Sequence, residues 1–282
     1  MSAPVRTLLT GGYRNQVWKV RTPNGFVIEK DYAEDPGDAN PMYPNLPDHE
    51  AAAMAHLAGT GCAPELVSYR PPADHHGAQV VYRYVAGTQW RRGVADVAAL
   101  LGTVHRLPAP RGMRRLHRSA AEALAHADAM VGATPSGAAA ALTRVRPVGV
   151  SNAPPRRLSL VHTDCGPGNI VRARHGLVLI DWQCPGVGDA VEDLACFLSP
   201  AMMILYDTPP HSAGATRRFL DAYGDDAVVA RYRRDGVAWH HRIAAYCVWR
   251  SHRLARRLPD VAQRYRDALA AEMEVIAAWP SN

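Results

Sequence analysis

Two carboxylates and a carboxamide stand close together in this 282-residue chain: Asp164, Asn169 five residues on, and Asp181 after a short intervening stretch. They lie in His162-Thr163-Asp164-Cys165-Gly166-Pro167-Gly168-Asn169 and in Leu179-Ile180-Asp181-Trp182. Phosphoryl transfer from Mg-ATP needs such a set, because one Asp accepts the proton of the attacking hydroxyl while an Asn and a second Asp hold the metal ions that bridge the phosphates. The spacing gives the base to Asp164 and the Mg2+ to Asn169 and Asp181. Any one of the three beside glycine would read as a turn former. The ordered combination of strand, loop, hairpin and carboxylate is what points to chemistry.

The surrounding pattern supplies the elements that must position these groups. Residues 158–161 read as a short buried strand that delivers His162 and Asp164 onto a loop at its end. Gly166, Pro167 and Gly168 turn that loop sharply. Residues 169–172 and 177–180 then read as two strands closed by Arg174-His175-Gly176, which brings Asp181 back beside Asn169.

Further back, residues 8–20 read as strand, glycine turn, strand, with Gly11-Gly12-Tyr13-Arg14-Asn15 at the bend, where glycine lets backbone N–H groups approach phosphate oxygens. A third strand over residues 26–30 ends on Lys30. The chain holds 30 arginines and two lysines, Lys19 and Lys30, and an ammonium is a compact point charge that suits the α- and β-phosphates. Asp48 is the expected cap of a helix running through Glu50 and Leu57 to a stop at Gly59-Thr60-Gly61. Glu50, in its first turn, is the candidate partner that orients Lys30, against the plainer reading of an acid placed for the helix dipole. Residues 67–70 and 79–84 read as two more strands, the second entering an interlobe hinge at Val85-Ala86-Gly87-Thr88. At such a hinge the carbonyl of Arg83 and the N–H of Val85 are candidates to read the adenine edge.

Beyond the hinge, helical periodicity covers residues 94–106, 119–130, 137–145, 216–223, 226–257 in one or two pieces, and 261–278. Ser119 and Glu122 have capping-box spacing, and so do Asp189 and Glu192 before a helix through Phe197. Asp189 is therefore read as structural, and Asp193 either as a brace for the catalytic loop or as a surface residue. Trp239, Tyr246 and Trp249 recur at helical spacing as a core stripe, with an aromatic acceptor wall as the alternative.

The bulk composition bounds these readings. With 48% hydrophobic and 21% charged residues, the chain has room for two well-filled lobes and belongs with ordinary globular proteins. It has no apolar run near the length of a membrane span, and Met1-Ser2-Ala3-Pro4-Val5-Arg6 lacks a secretory layout, so a cytoplasmic protein is expected. Five scattered cysteines argue against a disulfide framework or a zinc site. The net charge of +6 is dispersed, with no aromatic-plus-basic pattern for nucleic acid; nucleotide phosphate is a sufficient anionic partner.

These residues together resemble a known family: aminoglycoside phosphotransferases, choline and ethanolamine kinases, homoserine kinases and related small-molecule kinases. The likeness runs from Gly11-Gly12-x-x-Asn15 through Lys30, Glu50 with Leu57-x-x-Thr60-Gly61-x-x-Pro64, the hinge, and Leu100-Leu101-Gly102-Thr103-Val104-His105, to the catalytic block and Asp189-x-x-x-Asp193-Leu194-Ala195. It implies an α+β, bilobal protein-kinase-like fold. A small N-terminal lobe (residues 1–85) with an antiparallel sheet and one main helix would clamp the nucleotide. A larger, mostly helical C-terminal lobe (residues 86–282) would carry the catalytic loop and acceptor site. It further implies ATP and Mg2+ as donor, a small-molecule hydroxyl as acceptor, Asp164 as base, Asn169 and Asp181 as metal ligands, Lys30 as phosphate clamp with Glu50 as partner, and Gly12 and Asn15 on the nucleotide side. The chain departs from the family at three positions: Thr163 where glycine is common, Gly166 where histidine is common, and Gln183 where glutamate is frequent.

The expected function is thus transfer of the ATP γ-phosphate to an amino alcohol, a thiamine-like compound, a sugar or an aminoglycoside. Residues 200–282 carry twelve arginines against nine acidic residues, a balance that favours a small metabolite over a polycation. The competing reading is a nucleotide-binding pseudokinase with a regulatory role, which would be favoured by Lys30 or Asp181 facing away from the cleft. A metal-dependent phosphohydrolase would need further His or Asp ligands that the pattern lacks, and a protein kinase would need D-F-G and A-P-E segments that do not follow Asp181.

Overall fold

The computed structural model describes residues 5–9, 15–33, 40–73 and 76–280. Its first part is an antiparallel sheet of β1 (Arg6–Leu8), β2 (Gln16–Thr22), β3 (Gly25–Asp31), β4 (Leu66–Arg70) and β5 (Gln79–Arg83), in the order β1-β2-β3-β5-β4. Strand β3 lies in the middle, where Lys30 pairs with Val17 on one side and Val80 on the other. The period of two puts Ile28 and Lys30 on one face of the sheet, both buried. Helix α1 (Pro47–His56) packs against β4 and β5. Asp48 does not cap it, contrary to the expectation from the sequence. Pro47 takes the opening position, where a missing N–H costs nothing, so the cap falls on Leu46 and Asp48 lies inside the first turn with Glu50.

The remainder is mostly helical: α2 (Val94–Arg106), α3 (Ala120–Gly132), α4 (Gly137–Arg144), α5 (Val191–Leu198), α6 (Pro200–Leu205), α7 (Ala213–Ala222), α8 (Asp226–Asp235), α9 (Val237–Leu254) and α10 (Pro259–Ala277). Ser119 caps α3 by accepting the Glu122 N–H at 3.2 Å. The Glu122 carboxylate turns to the N–H of Arg118. The long pattern over 226–257 divides at Gly236, where a Cβ would collide with the Tyr232 carbonyl. The Asp189–Glu192 pair forms no capping box. Asp189 accepts the N–H of Val191 at 3.1 Å, whereas Glu192 is drawn into a buried ion pair with Arg242 at 2.8 Å. Helix α9 packs between α3 and α10, and Trp239, Tyr246 and Trp249 are all buried along it. Tyr246 packs edge-on to Tyr43 at 5.0 Å between ring centres.

Short strands set the catalytic segment between these layers. Strand β7 (Ser159–Val161) pairs with β10 (Gly186–Gly188), and β6 (Gly87–Gln89) pairs with β8 (Ile170–Ala173), which pairs in turn with β9 (Gly176–Leu179). The hairpin is anchored below by Leu160, Ile170, Leu179 and Trp182, all fully buried. The five cysteines are free and buried. Among the described residues no helix is long and apolar enough to cross a membrane.

Candidate active site

Lys30 reaches the site because β3 buries it. Its Nζ lies 3.0 Å from Glu50 Oε2 and also contacts Asp181 Oδ1. Burial alone would pull the ammonium down, but the carboxylates of Asp181 and Glu50 outweigh it and hold Lys30 well above its ordinary value. Glu50 is fully buried and receives a second hydrogen bond, from the hydroxyl of Tyr32. Strand β3, helix α1 and the segment after β9 thus meet at one cation.

The catalytic loop is held from beneath. His162 is buried, and burial lowers its pKa, so it sits as neutral imidazole. Its Nδ1 accepts the Asp164 N–H at 3.2 Å while Nε2 donates to the Ile180 carbonyl at 3.0 Å. One ring therefore ties the loop of Asp164 to the strand end of Asp181. Asp193, fully buried on α5, accepts the N–H groups of His162 and Thr163, each at 2.8 Å, and contacts His105 Nε2 at 3.0 Å. Of the two readings open for Asp193, the brace is the observed one.

Two non-glycine residues at the site have left-handed backbone: Thr163 at φ 71° and Asp181 at φ 62°. For a β-branched residue this conformation is strained. Thr163 is kept there by its N–H bond to Asp193 and by its hydroxyl donating to the Cys184 carbonyl at 2.9 Å. The Trp182 indole, donating to the Leu179 carbonyl at 2.9 Å, pins the residue after Asp181.

Asn169 ends a 3-10 turn (Pro167–Asn169). Its Nδ2 donates to the Asp164 carbonyl at 2.8 Å, to Asp164 Oδ2 at 3.1 Å and to the Tyr206 hydroxyl at 3.2 Å. The amide oxygen remains as a ligand atom, as does Asp181 Oδ2. Both residues line the same cleft. A carboxylate and an amide oxygen are hard donors suited to Mg2+, which takes one or two protein oxygens and completes its shell with water and substrate phosphate. The residues fit the ion. The described residues contain no group of three or more His, Cys, Asp or Glu arranged to hold a metal by protein ligands alone.

The cleft has a volume of about 520 Å³ and is lined by Val17, Ile28, Lys30, Tyr84, Val85, Asn169 and Asp181, among others. Four expected site residues, Lys30, Val85, Asn169 and Asp181, are therefore brought together. Glu50 stands behind Lys30. Arg83 is not in the lining, and its guanidinium reaches the Asn24 carbonyl at 3.4 Å. Asn15 is directed elsewhere, exchanging hydrogen bonds with Asn45 at 2.8 Å in both directions and donating to Gln183 at 3.3 Å. Gly12 lies outside the described residues. Asp164 is also absent from the lining, whereas Tyr206, which is bonded to it, is part of the lining. The Tyr206 hydroxyl is 3.2 and 3.3 Å from the two Asp164 oxygens. Burial and the nearby Asp181 carboxylate push Asp164 up to about 7, against the hydrogen bonds from Tyr206 and Asn169.

Tyr206 and Tyr32 are the residues that sequence reasoning missed. The signal for Tyr206 was indirect. At Gly166 and at Gly168 a Cβ would overlap the Tyr206 ring, so the glycine at 166, where the family commonly has histidine, leaves a space that another part of the chain fills.

The model of the phosphotransferase enzyme family APH matches residues 5–235, and the chain belongs to that family. It is a phosphotransferase whose fold recurs in solved structures of small-molecule kinases. A choline/ethanolamine kinase family protein from Mesorhizobium loti is 19% identical with a TM-score of 0.69, over 98% of this chain and 89% of that one. Choline kinase from Cryptosporidium parvum is 12% identical with a TM-score of 0.64, over 97% and 90%. A spectinomycin phosphotransferase, solved with ADP and spectinomycin, is 11% identical with a TM-score of 0.61, over 95% and 92%. At these identities the likeness is one of fold, and the protein-kinase-like architecture implied by the sequence is the observed one. No curated protein sequence matches the chain.

Proposed function

We propose that the protein transfers the γ-phosphate of ATP, bound with Mg2+, to a hydroxyl of a small molecule. The observation that carries this reading is the convergence of Lys30, Asn169 and Asp181 on one cleft, with Asp164 joined to Asn169 by a 3.1 Å hydrogen bond at its edge. Lys30 holds the α- and β-phosphates, braced by Glu50. Asn169 and Asp181 hold Mg2+, which when bound neutralises charge on the phosphates. Asp164 accepts the acceptor's proton as its oxygen attacks in line. Positioning and electrostatics do most of the work. The N–H of Val85, which lines the cleft, receives the adenine edge, and we place the lobe boundary between Val85 and Ala86.

Lys30 and Asp181 both line the cleft, which speaks against a pseudokinase in which either faces away. Amino alcohols, thiamine-like compounds, sugars and aminoglycosides are the acceptor classes to test. The purified protein, incubated with Mg-ATP and pooled alcohols of these classes, should release ADP and add one phosphoryl group to an acceptor. Failure to bind Mg-ATP at all would overturn the reading.

A further inference from the structure

The Tyr206 phenol stands where the reaction needs the acceptor. Its oxygen is within 3.3 Å of both carboxylate oxygens of Asp164 and accepts a hydrogen bond from Asn169 Nδ2 at 3.2 Å. A hydroxyl handing its proton to Asp164 must lie at hydrogen-bond distance from that carboxylate. The ring lies flat enough against the catalytic loop that neither Gly166 nor Gly168 has room for a Cβ. Tyr206 lines the cleft and Asp164 does not.

We propose that Tyr206 occupies the acceptor-hydroxyl position on Asp164 and that an acceptor gains the base only by displacing it. This rests on the kinase reading above. Tyr206 is then a specificity-determining residue: it fills the hydrogen-bonding position on the half-buried base and admits only acceptors able to replace both of its hydrogen bonds. The residue is placed for such a movement. It closes the last turn of α6, and Asp207 after it has left-handed backbone at φ 52°, so the chain turns away immediately beyond the ring.

The test uses water as the acceptor. In hydrolysis a water oxygen bonds to the γ-phosphorus as the bond to ADP breaks, and the water proton passes to Asp164. Wild type and Tyr206→Phe are compared for ADP release from Mg-ATP without other acceptor, alongside nucleotide affinity and thermal unfolding. The phenylalanine keeps the packing on Gly166 and Gly168 but frees the carboxylate. Hydrolysis should rise by about tenfold or more with unchanged nucleotide affinity, and adding Asp164→Asn should abolish the gain. Gly166→Ala, which pushes the ring aside with the phenol intact, should raise hydrolysis as well and serves if Tyr206→Phe does not fold. A hydroxyl that merely supports the loop would give the opposite result, a fall in hydrolysis. A fall or no change in a folded, nucleotide-binding variant overturns the proposal alone, whereas wild type that does not bind Mg-ATP overturns the kinase reading beneath it.

Discussion

The two halves of the candidate site are built on different physics. On the nucleotide side, Lys30 is sandwiched between Glu50 and Asp181, so opposite charges hold one another before any ligand arrives. On the acceptor side, Asp164 is held by the neutral groups of Asn169 and Tyr206, with no ion pair to it among the described residues. Charge pairing makes the first half rigid and committed. Burial and the Asp181 carboxylate push Asp164 up to about 7 against its neutral donors, and those donors leave the second half open to exchange of partners. A phosphotransferase gains from this division, since its nucleotide contacts are made in every cycle whereas its base must be released to each new acceptor.

The contrast can be broken most severely at Lys30. Lys30→Met leaves Glu50 buried without its cation, and breaking a buried pair from one side costs about 3–5 kcal/mol. Denaturant unfolding without nucleotide should show that loss, and combining it with Glu50→Gln should recover part of it. An unchanged unfolding midpoint would mean the clamp is not the structural centre of its half.

Asp193→Asn probes the support of the acceptor side. The amide cannot accept from both the His162 and Thr163 N–H groups and still face His105, so a loss of about 2–3 kcal/mol is expected. Thermal unfolding with turnover measured on the same sample would check it, and both should fall.

Protonation sharpens the comparison further. With Asp164 raised to about 7, kcat/KM should fall about tenfold for each unit of pH below that value and level off above it. Stability should move the other way. The folded state holds this proton more tightly than the unfolded chain, whose carboxyl titrates near 3.8. The group's contribution therefore declines as pH rises from about 3.8 to about 7 and is constant beyond. A pH–rate profile flat down to pH 5 would contradict a base held at about 7.

The smallest expected effect is at Thr163. Thr163→Val keeps the strained backbone and the branched side chain but removes the hydroxyl bond to Cys184, costing about 1 kcal/mol in unfolding free energy.

What could be read from the sequence divides along a similar line. The strand, loop and hairpin around Asp164, Asn169 and Asp181 are local, written in consecutive glycines, a proline and apolar runs, and they fold as read. Lys30 was legible because lysine is rare here and sits at the end of a strand. Groups joined by distant pairing were not. Tyr206 follows α6, six residues too short to show a period, and meets Asp164 across 42 positions of chain. Asn15, expected beside the nucleotide, is taken by Asn45, a partner no spacing rule indicates. Glu192 had the spacing of a cap, but Arg242, fifty residues on, offered it a stronger bond.

The central claim is that nucleotide binding and proton removal belong to separate halves of the site. The most direct test measures Mg-ATP affinity and acceptor-dependent turnover side by side in wild type and Asp164→Ala. The account predicts affinity close to wild type with turnover lower by about two to four orders of magnitude. A folded Asp164→Ala protein that loses nucleotide binding together with activity would contradict it.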